Sequence, residues 1–160
     1  MPRASCFRAC ESFPVRLDLT IAAEREAAPR AVLAAFGHVD VLVNNAGYGL
    51  LGAVEEVEED EIRRQLETNF LWTAGPGLIR TLLPHFRARG AGHILNISSE
   101  PGFVGRPGLG IDAASKFGLE GLSESLAQEL DPLGVRVTIV ESRVRSAPTG
   151  SERRSRAASG

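Results

Sequence analysis

The sequence predicts an α/β domain built on a doubly wound parallel sheet. Short apolar runs alternate with stretches of helical spacing between Val15 and Val140, and this alternation is the pattern of βαβ units. The 160 residues suit one compact domain, and 43% hydrophobic with 24% charged residues is typical of a globular chain rather than a disordered one. No apolar run reaches the roughly 18 residues that would indicate a transmembrane helix.

The first predicted elements lie before residue 37. Val15 to Leu17 is a short apolar run that predicts a strand, and Thr20 is the expected N-cap of a helix that continues to Phe36. Pro29 is expected to kink or split this helix, because proline lacks the backbone N–H and clashes with the preceding turn. Gly37 then ends the helix, since glycine accepts the left-handed conformation of a C-cap.

The middle of the chain repeats the order of strand and helix. Val39 to Val43 predicts a strand that enters the turn residues Asn44-Asn45-Ala46-Gly47. Helical spacing follows from Glu55 to Phe70 and again from Leu78 to Arg89. The breaker Gly75-Pro76-Gly77 separates these two helices.

The last elements complete the alternation. His93 to Ile97 predicts a strand and Pro101 to Gly110 a loop. Asp112 to Leu130 predicts an amphipathic helix, and Val135 to Val140 the final strand. The Arg- and Ser-rich residues 142–160 predict a disordered tail.

Polar residues follow several of the predicted strands. They are Asp18, the turn at 44–47, Ser98-Ser99 and Glu141-Ser142. Because the carboxyl ends of parallel strands meet at one edge of the sheet, and ligands bind there in such folds, we expect a site at this edge.

Charge and composition exclude several classes of partner. The net charge of −2 gives no reason to expect nucleic acid or a membrane. Residues 1–13 carry charges and no apolar run typical of a signal peptide. Cys6 and Cys10 are too few for a disulfide scaffold or a metal centre, so we expect reduced thiols, no metal and a cytoplasmic protein. Of the 18 basic residues, only Lys116 is a lysine, and Tyr48 is the only tyrosine.

Five ordered motifs resemble those of the short-chain dehydrogenase/reductase family. They are Leu17-Asp18-Leu19-Thr20, Asp40-Val41-Leu42-Val43-Asn44-Asn45-Ala46-Gly47, Asn69, Asn96-Ile97-Ser98-Ser99 and Ala114-Ser115-Lys116. The resemblance implies a Rossmann-like fold that binds NAD or NADP and transfers a hydride between the nicotinamide and a small carbonyl or alcohol substrate. By analogy with the family, a homo-oligomer is also an expectation.

The resemblance implies a role for each matching residue. Ser99 would hold the substrate oxygen, Asn69 would position a proton-relay water, and Lys116 would hold the nicotinamide ribose and lower the pKa of a catalytic tyrosine. Asp18 would contact the adenine, and Asn45-Ala46-Gly47 would line the adenosine side of the cofactor.

Several of these residues also have a structural interpretation. Lys116 could be a solvated helix residue and Ser99 a strand-end hydroxyl, while Asn45 and Gly47 are ordinary turn residues. For Lys116, the single lysine in an arginine-rich chain favours the role implied by the family.

The tyrosine of the family is missing. Its place, four residues before Lys116 and 13 after Ser99, is taken by Asp112. Because a nearby lysine lowers the pKa of a carboxyl group, we expect a carboxylate there with no proton to give. The favoured interpretation of Asp112 is a helix N-cap. Tyr48 is in no evident position to substitute.

The first two strands and the phosphate loop of the family are also missing, since no glycine precedes Gly37. The predicted fold is therefore incomplete: residues 1–13 do not match, residues 14–141 form a partial Rossmann-like domain, and residues 142–160 form the tail. The strand that begins at Val39 is predicted to be an exposed sheet edge.

Two functions remain open at this point. One is an NAD(P)-dependent oxidoreductase with weakened cofactor binding and impaired activity. The other is a non-catalytic remnant that acts at most as a binding or dimerisation module.

Overall fold

The computed structural model describes residues 12–73 and 76–142. Within these ranges three parallel strands form one sheet: β1 (Val41–Asn44), β2 (Gly92–Ser99) and β3 (Val135–Ser142), in the order β1-β2-β3. Val41 pairs with His93, and Ser99 at the end of β2 pairs with Ser142. The strands predicted from Val39, His93 and Val135 are therefore confirmed, and their carboxyl ends meet at one edge.

Four α-helices accompany the sheet in the described residues. They are α1 (Ala22–Phe36), α2 (Glu59–Leu66), α3 (Pro76–Arg89) and α4 (Gly110–Leu130). A π-helical stretch, Glu67–Trp72, continues α2. Because α3 begins at Pro76 as a separate helix, the predicted break before Leu78 is confirmed, although residues 74 and 75 lie outside the described part.

Helix α1 differs from the prediction at its start and at Pro29. The helix continues through Pro29 from Ala22 to Phe36 and is not split. Thr20 is not the N-cap, since its hydroxyl donates to the Asp18 carboxylate at 2.7 Å and no side chain caps the helix. Gly37 ends the helix as expected, with a φ of 77° and its N–H donating to the Leu33 carbonyl at 2.8 Å.

The predicted strand Val15 to Leu17 is wrong. In the structure this segment belongs to no sheet, because no neighbouring strand within the described ranges offers it hydrogen-bond partners. β1 consequently forms the sheet edge, as predicted. Val41 and Val43 on its open face are 48% and 53% exposed, whereas Leu42 on the opposite face is 8% exposed.

The hydrophobic core lies between one face of the sheet and helices α3 and α4. Its buried members are Leu42, Ile79, Leu82, Phe86, Ile94, Leu130 and Val135. This one-sided core corresponds to the incomplete α/β fold that the sequence predicts. Within the two described ranges, no helix has both the length and the apolar character needed to cross a membrane.

Some predictions concern residues that the structure does not describe. Cys6 and Cys10, most of residues 1–13 and nearly all of the predicted tail at 142–160 lie outside the described residues.

Candidate functional site

A cavity of about 240 Å³ opens at the carboxyl edge of the sheet. Residues from the loop after β1, from the π-helical stretch, from the ends of β2 and β3 and from α4 line it: Asn45, Gly47, Tyr48, Gly49, Asn69, Ile97, Ser98, Ser99, Asp112, Lys116 and Ser142. The structure thus brings together most of the site residues named from the sequence. Asp18 and Ala46 are not among the residues that line it.

A chain of buried hydrogen bonds fixes the strand ends beneath this cavity. The Asn44 amide nitrogen donates to Asn96 Oδ1 at 2.8 Å, and the Asn96 amide nitrogen donates to Ser123 Oγ at 2.8 Å. All three side chains are at most 3% exposed. Buried polar groups are stable only when they are paired. These two hydrogen bonds therefore fix β1, β2 and α4 relative to one another.

Asn69 holds the loop that follows β1. Its side chain forms two hydrogen bonds with the backbone of Tyr48: Oδ1 accepts from the Tyr48 N–H at 3.0 Å, and Nδ2 donates to the Tyr48 carbonyl at 2.7 Å. Gly47 allows this close approach, because a Cβ at that position would lie 3.1 Å from Asn69 Oδ1. Asn69 lies on a π-helical stretch, an irregularity that is frequent at functional sites.

Lys116 presents its ammonium group in the cavity. Nζ donates to the Ile97 carbonyl at 3.1 Å, which leaves two of its three N–H donors for a ligand. Burial lowers the pKa of Lys116, while the carboxylates of Asp112 and Glu120 act in the opposite direction. A solvated surface lysine would not have this environment. Ser99, also half-buried, lines the same cavity.

Asp112 is buried in the cavity wall, with 8% of its surface exposed. Its Oδ1 accepts a hydrogen bond from the Gln65 side-chain nitrogen at 2.9 Å. Burial raises the pKa of the Asp112 carboxyl, even though Lys116 and the hydrogen bond from Gln65 act to lower it.

Two expectations for Asp112 are therefore wrong. It is not an N-cap, because α4 begins at Gly110 and its N-cap residue, Leu109, makes no side-chain capping bond. The expected decrease of its pKa beside Lys116 is also wrong, because loss of water contact outweighs the attraction of the lysine.

Gln65 belongs to the site but was not predicted from the sequence. Gln65 is fully buried, and its side-chain nitrogen donates both to Asp112 and to the Tyr48 carbonyl, the latter at 3.1 Å. Its position four residues before Asn69 on the same helical stretch was the available signal. Tyr48 also lines the cavity and is 46% exposed; that it is in no evident position to substitute for the missing tyrosine stays a prediction.

Asp18 has a local structural role in the structure. Its Oδ1 accepts hydrogen bonds from the backbone N–H and the hydroxyl of Thr20, at 2.9 and 2.7 Å. These bonds hold the pKa of the exposed Asp18 carboxyl below its usual range. In the described ranges no cluster of three or more His, Cys, Asp or Glu side chains is arranged to bind a metal ion.

Comparison with known proteins identifies the family. The family model of the short chain dehydrogenases matches residues 4–157. The chain is 38% identical over 125 residues to a 3-ketodihydrosphingosine reductase of Bacteroides thetaiotaomicron, covering 78% of this chain and 46% of that protein. It is 41% identical over 127 residues to human 17-beta-hydroxysteroid dehydrogenase type 1, covering 79% of this chain and 36% of that protein.

The fold also matches a solved structure with a bound cofactor. A metagenomic short-chain oxidoreductase in complex with NADP superimposes with a TM-score of 0.71 at 38% identity, covering 78% of this chain and 56% of that one. The chain spans less than half the length of the two curated relatives. From the family match and these similarities, the chain belongs to the short-chain dehydrogenase/reductase family of oxidoreductases.

Proposed function

We propose that the cavity at the carboxyl edge is the nicotinamide and substrate end of an NAD(P)-dependent dehydrogenase/reductase site, and that this chain alone has little or no turnover. The observation that carries the proposal is the convergence of Asn69, Ser99 and Lys116 on one cavity. NADP bound to a solved relative supports a nicotinamide cofactor.

The residues present fit one end of such a cofactor. Lys116 has two free donors for ribose hydroxyls, and the loop from Asn45 to Gly49 borders the same space. The volume of about 240 Å³ is below the roughly 300–1,000 Å³ of complete ligand sites, so it suits the nicotinamide ribose rather than the whole dinucleotide. The glycine-rich turn that binds pyrophosphate is not among the residues of this sequence.

When bound, the cofactor would supply a hydride to a carbonyl substrate as NAD(P)H, or accept one from an alcohol substrate as NAD(P)+. In this proposal the Ser99 hydroxyl hydrogen-bonds the oxygen of the carbonyl or alcohol substrate, and the Lys116 ammonium orients the ribose and stabilises negative charge that develops on that oxygen. Asn69 keeps the loop at Tyr48 in place, so that the cavity retains its shape.

Asp112 is the reason to expect impaired proton transfer. A tyrosine at this position would extend a phenol well into the cavity, whereas the shorter Asp112 carboxyl is held in the wall by Gln65. Binding of the cofactor is expected to be weak for lack of phosphate contacts. The replacement of the tyrosine by Asp112 also favours the second candidate function, a binding module without turnover.

The test combines turnover with binding. We expect the purified chain to show no measurable oxidation of NADH or NADPH with a panel of ketones and aldehydes, and weak cofactor binding by calorimetry that Lys116→Met removes. Glu124→Gln, an exposed change on the same helix, is the matched control. Asp112→Tyr is expected to raise turnover above the wild-type background. Ready turnover by the unmodified chain would refute the claim of impairment, and binding unaffected by Lys116→Met would refute the site.

A further inference from the structure

A second and larger cavity, of about 480 Å³, lies between helices α1 and α3. It shares no lining residue with the candidate active site. Arg25, Glu26 and Arg30 line it from α1, Arg80 from α3, and Trp72 from the end of the π-helical stretch. Three arginines from two helices thus border one space.

Arg25 is held in place before any ligand arrives. Its guanidinium carbon lies 3.8 Å from the centroid of the Trp72 ring, a cation–π contact, and one of its terminal nitrogens donates to the Leu19 carbonyl. A guanidinium has five N–H donors, so most of those on Arg25 remain available to a ligand.

The cavity has an excess of positive charge. Glu26 is its one acidic lining residue and pairs with Arg30 at 3.1 Å. In the parts of the chain that the structure describes, neither Arg25 nor Arg80 forms an ion pair with a carboxylate. Two guanidinium charges therefore remain for an anion that enters the cavity.

We propose that this cavity binds the phosphate group of a small phosphorylated molecule, with Arg25 and Arg80 as its two ligands. The planar fork of a guanidinium matches the oxygens of phosphate in two parallel hydrogen bonds. Two uncompensated cations balance a phosphate dianion, and a volume of about 480 Å³ leaves space for the rest of the molecule. This inference does not depend on the proposed dehydrogenase function.

Trp72 gives a direct measurement, because it is the only tryptophan of the chain. The full 160-residue protein is titrated with inorganic phosphate at constant ionic strength, with tryptophan fluorescence and calorimetry as readouts. We expect saturable binding. Arg25→Gln and Arg80→Gln are each expected to weaken it about tenfold or more, as the loss of a charge-assisted hydrogen-bonding group implies.

The control is Arg87→Gln, which removes the same charge from the same helix two turns after Arg80 and outside the cavity. Arg80→Gln is the deciding variant, since the fluorescence of Trp72 can respond directly to the loss of Arg25. Absence of saturable binding, an equal response to potassium chloride, or unchanged affinity in Arg80→Gln would overturn the proposal.

Discussion

Replacing Asp112 by asparagine should make the protein more stable at neutral pH. Asp112 is 8% exposed, and burial raises the pKa of its carboxyl group. The folded state therefore binds the proton of this group more tightly than the unfolded state does. In such a case the folded state loses stability as pH rises from the unfolded pKa through the higher folded one. At pH values above both the unfolded and the folded pKa, the whole cost of burying the charged Asp112 carboxylate is subtracted from the free energy of unfolding.

The size of the effect follows from linkage. Each unit by which burial raises the pKa corresponds to about 1.4 kcal/mol of lost stability above both pKa values. Asparagine has the same shape, and its Oδ1 can still accept the hydrogen bond from Gln65. Removing the Asp112 charge also removes its attraction to Lys116, which offsets part of this gain, so we expect a net gain of up to about 1 kcal/mol for Asp112→Asn at pH 7.

Urea unfolding at pH 7 and near pH 3 provides the assay. The gain should be present at pH 7 and should disappear near pH 3, where the wild-type carboxyl is protonated in both states. Glu124→Gln, on the exposed side of the same helix, is measured at both pH values as the control for removing a carboxylate from α4. If Asp112→Asn is less stable than the wild type at pH 7, or if its effect is the same at both pH values, the reasoning about Asp112 is wrong.

Three further predictions concern stability and are checked by urea unfolding. Asn96→Ala should cost about 1–3 kcal/mol, because it leaves the buried Asn44 amide without its acceptor; no measurable cost would contradict a stabilising role for the hydrogen-bond chain. Gly77→Ala should cost about 1–3 kcal/mol, since its Cβ would lie 2.7 Å from the Trp72 carbonyl oxygen; a gain, as helix propensity alone would give, would contradict that contact. Gly37→Ala should cost about 1 kcal/mol at a φ of 77°, whereas an unchanged midpoint would contradict the left-handed cap.

Much of the fold could be predicted because its determinants are local. The strands from Val39, His93 and Val135 are apolar runs with helices between them, and the parallel arrangement follows from that alternation. The convergence of Ser99 and Lys116 on one cavity follows in turn, since strand ends and the helices after them meet at one edge.

The rest depended on contacts that the sequence does not display. Val15 to Leu17 reads as a strand, but a strand requires a neighbour to pair with, and none is available in the described ranges. The environment of Asp112 is set by Gln65, which is 47 residues earlier in the chain. Local spacing suggested an N-cap, and only the tertiary structure shows that the carboxyl is buried.

The most direct test of the proposed site is a nuclear magnetic resonance titration of the whole chain with NADPH, a method that detects weak binding. We expect the backbone amides of Gly47, Gly49 and Asn69 to shift together, and Lys116→Met to abolish these shifts while Glu124→Gln leaves them intact. Shifts that spare these amides, or that persist in Lys116→Met, would contradict the assignment of this cavity as the nicotinamide end of a dehydrogenase site.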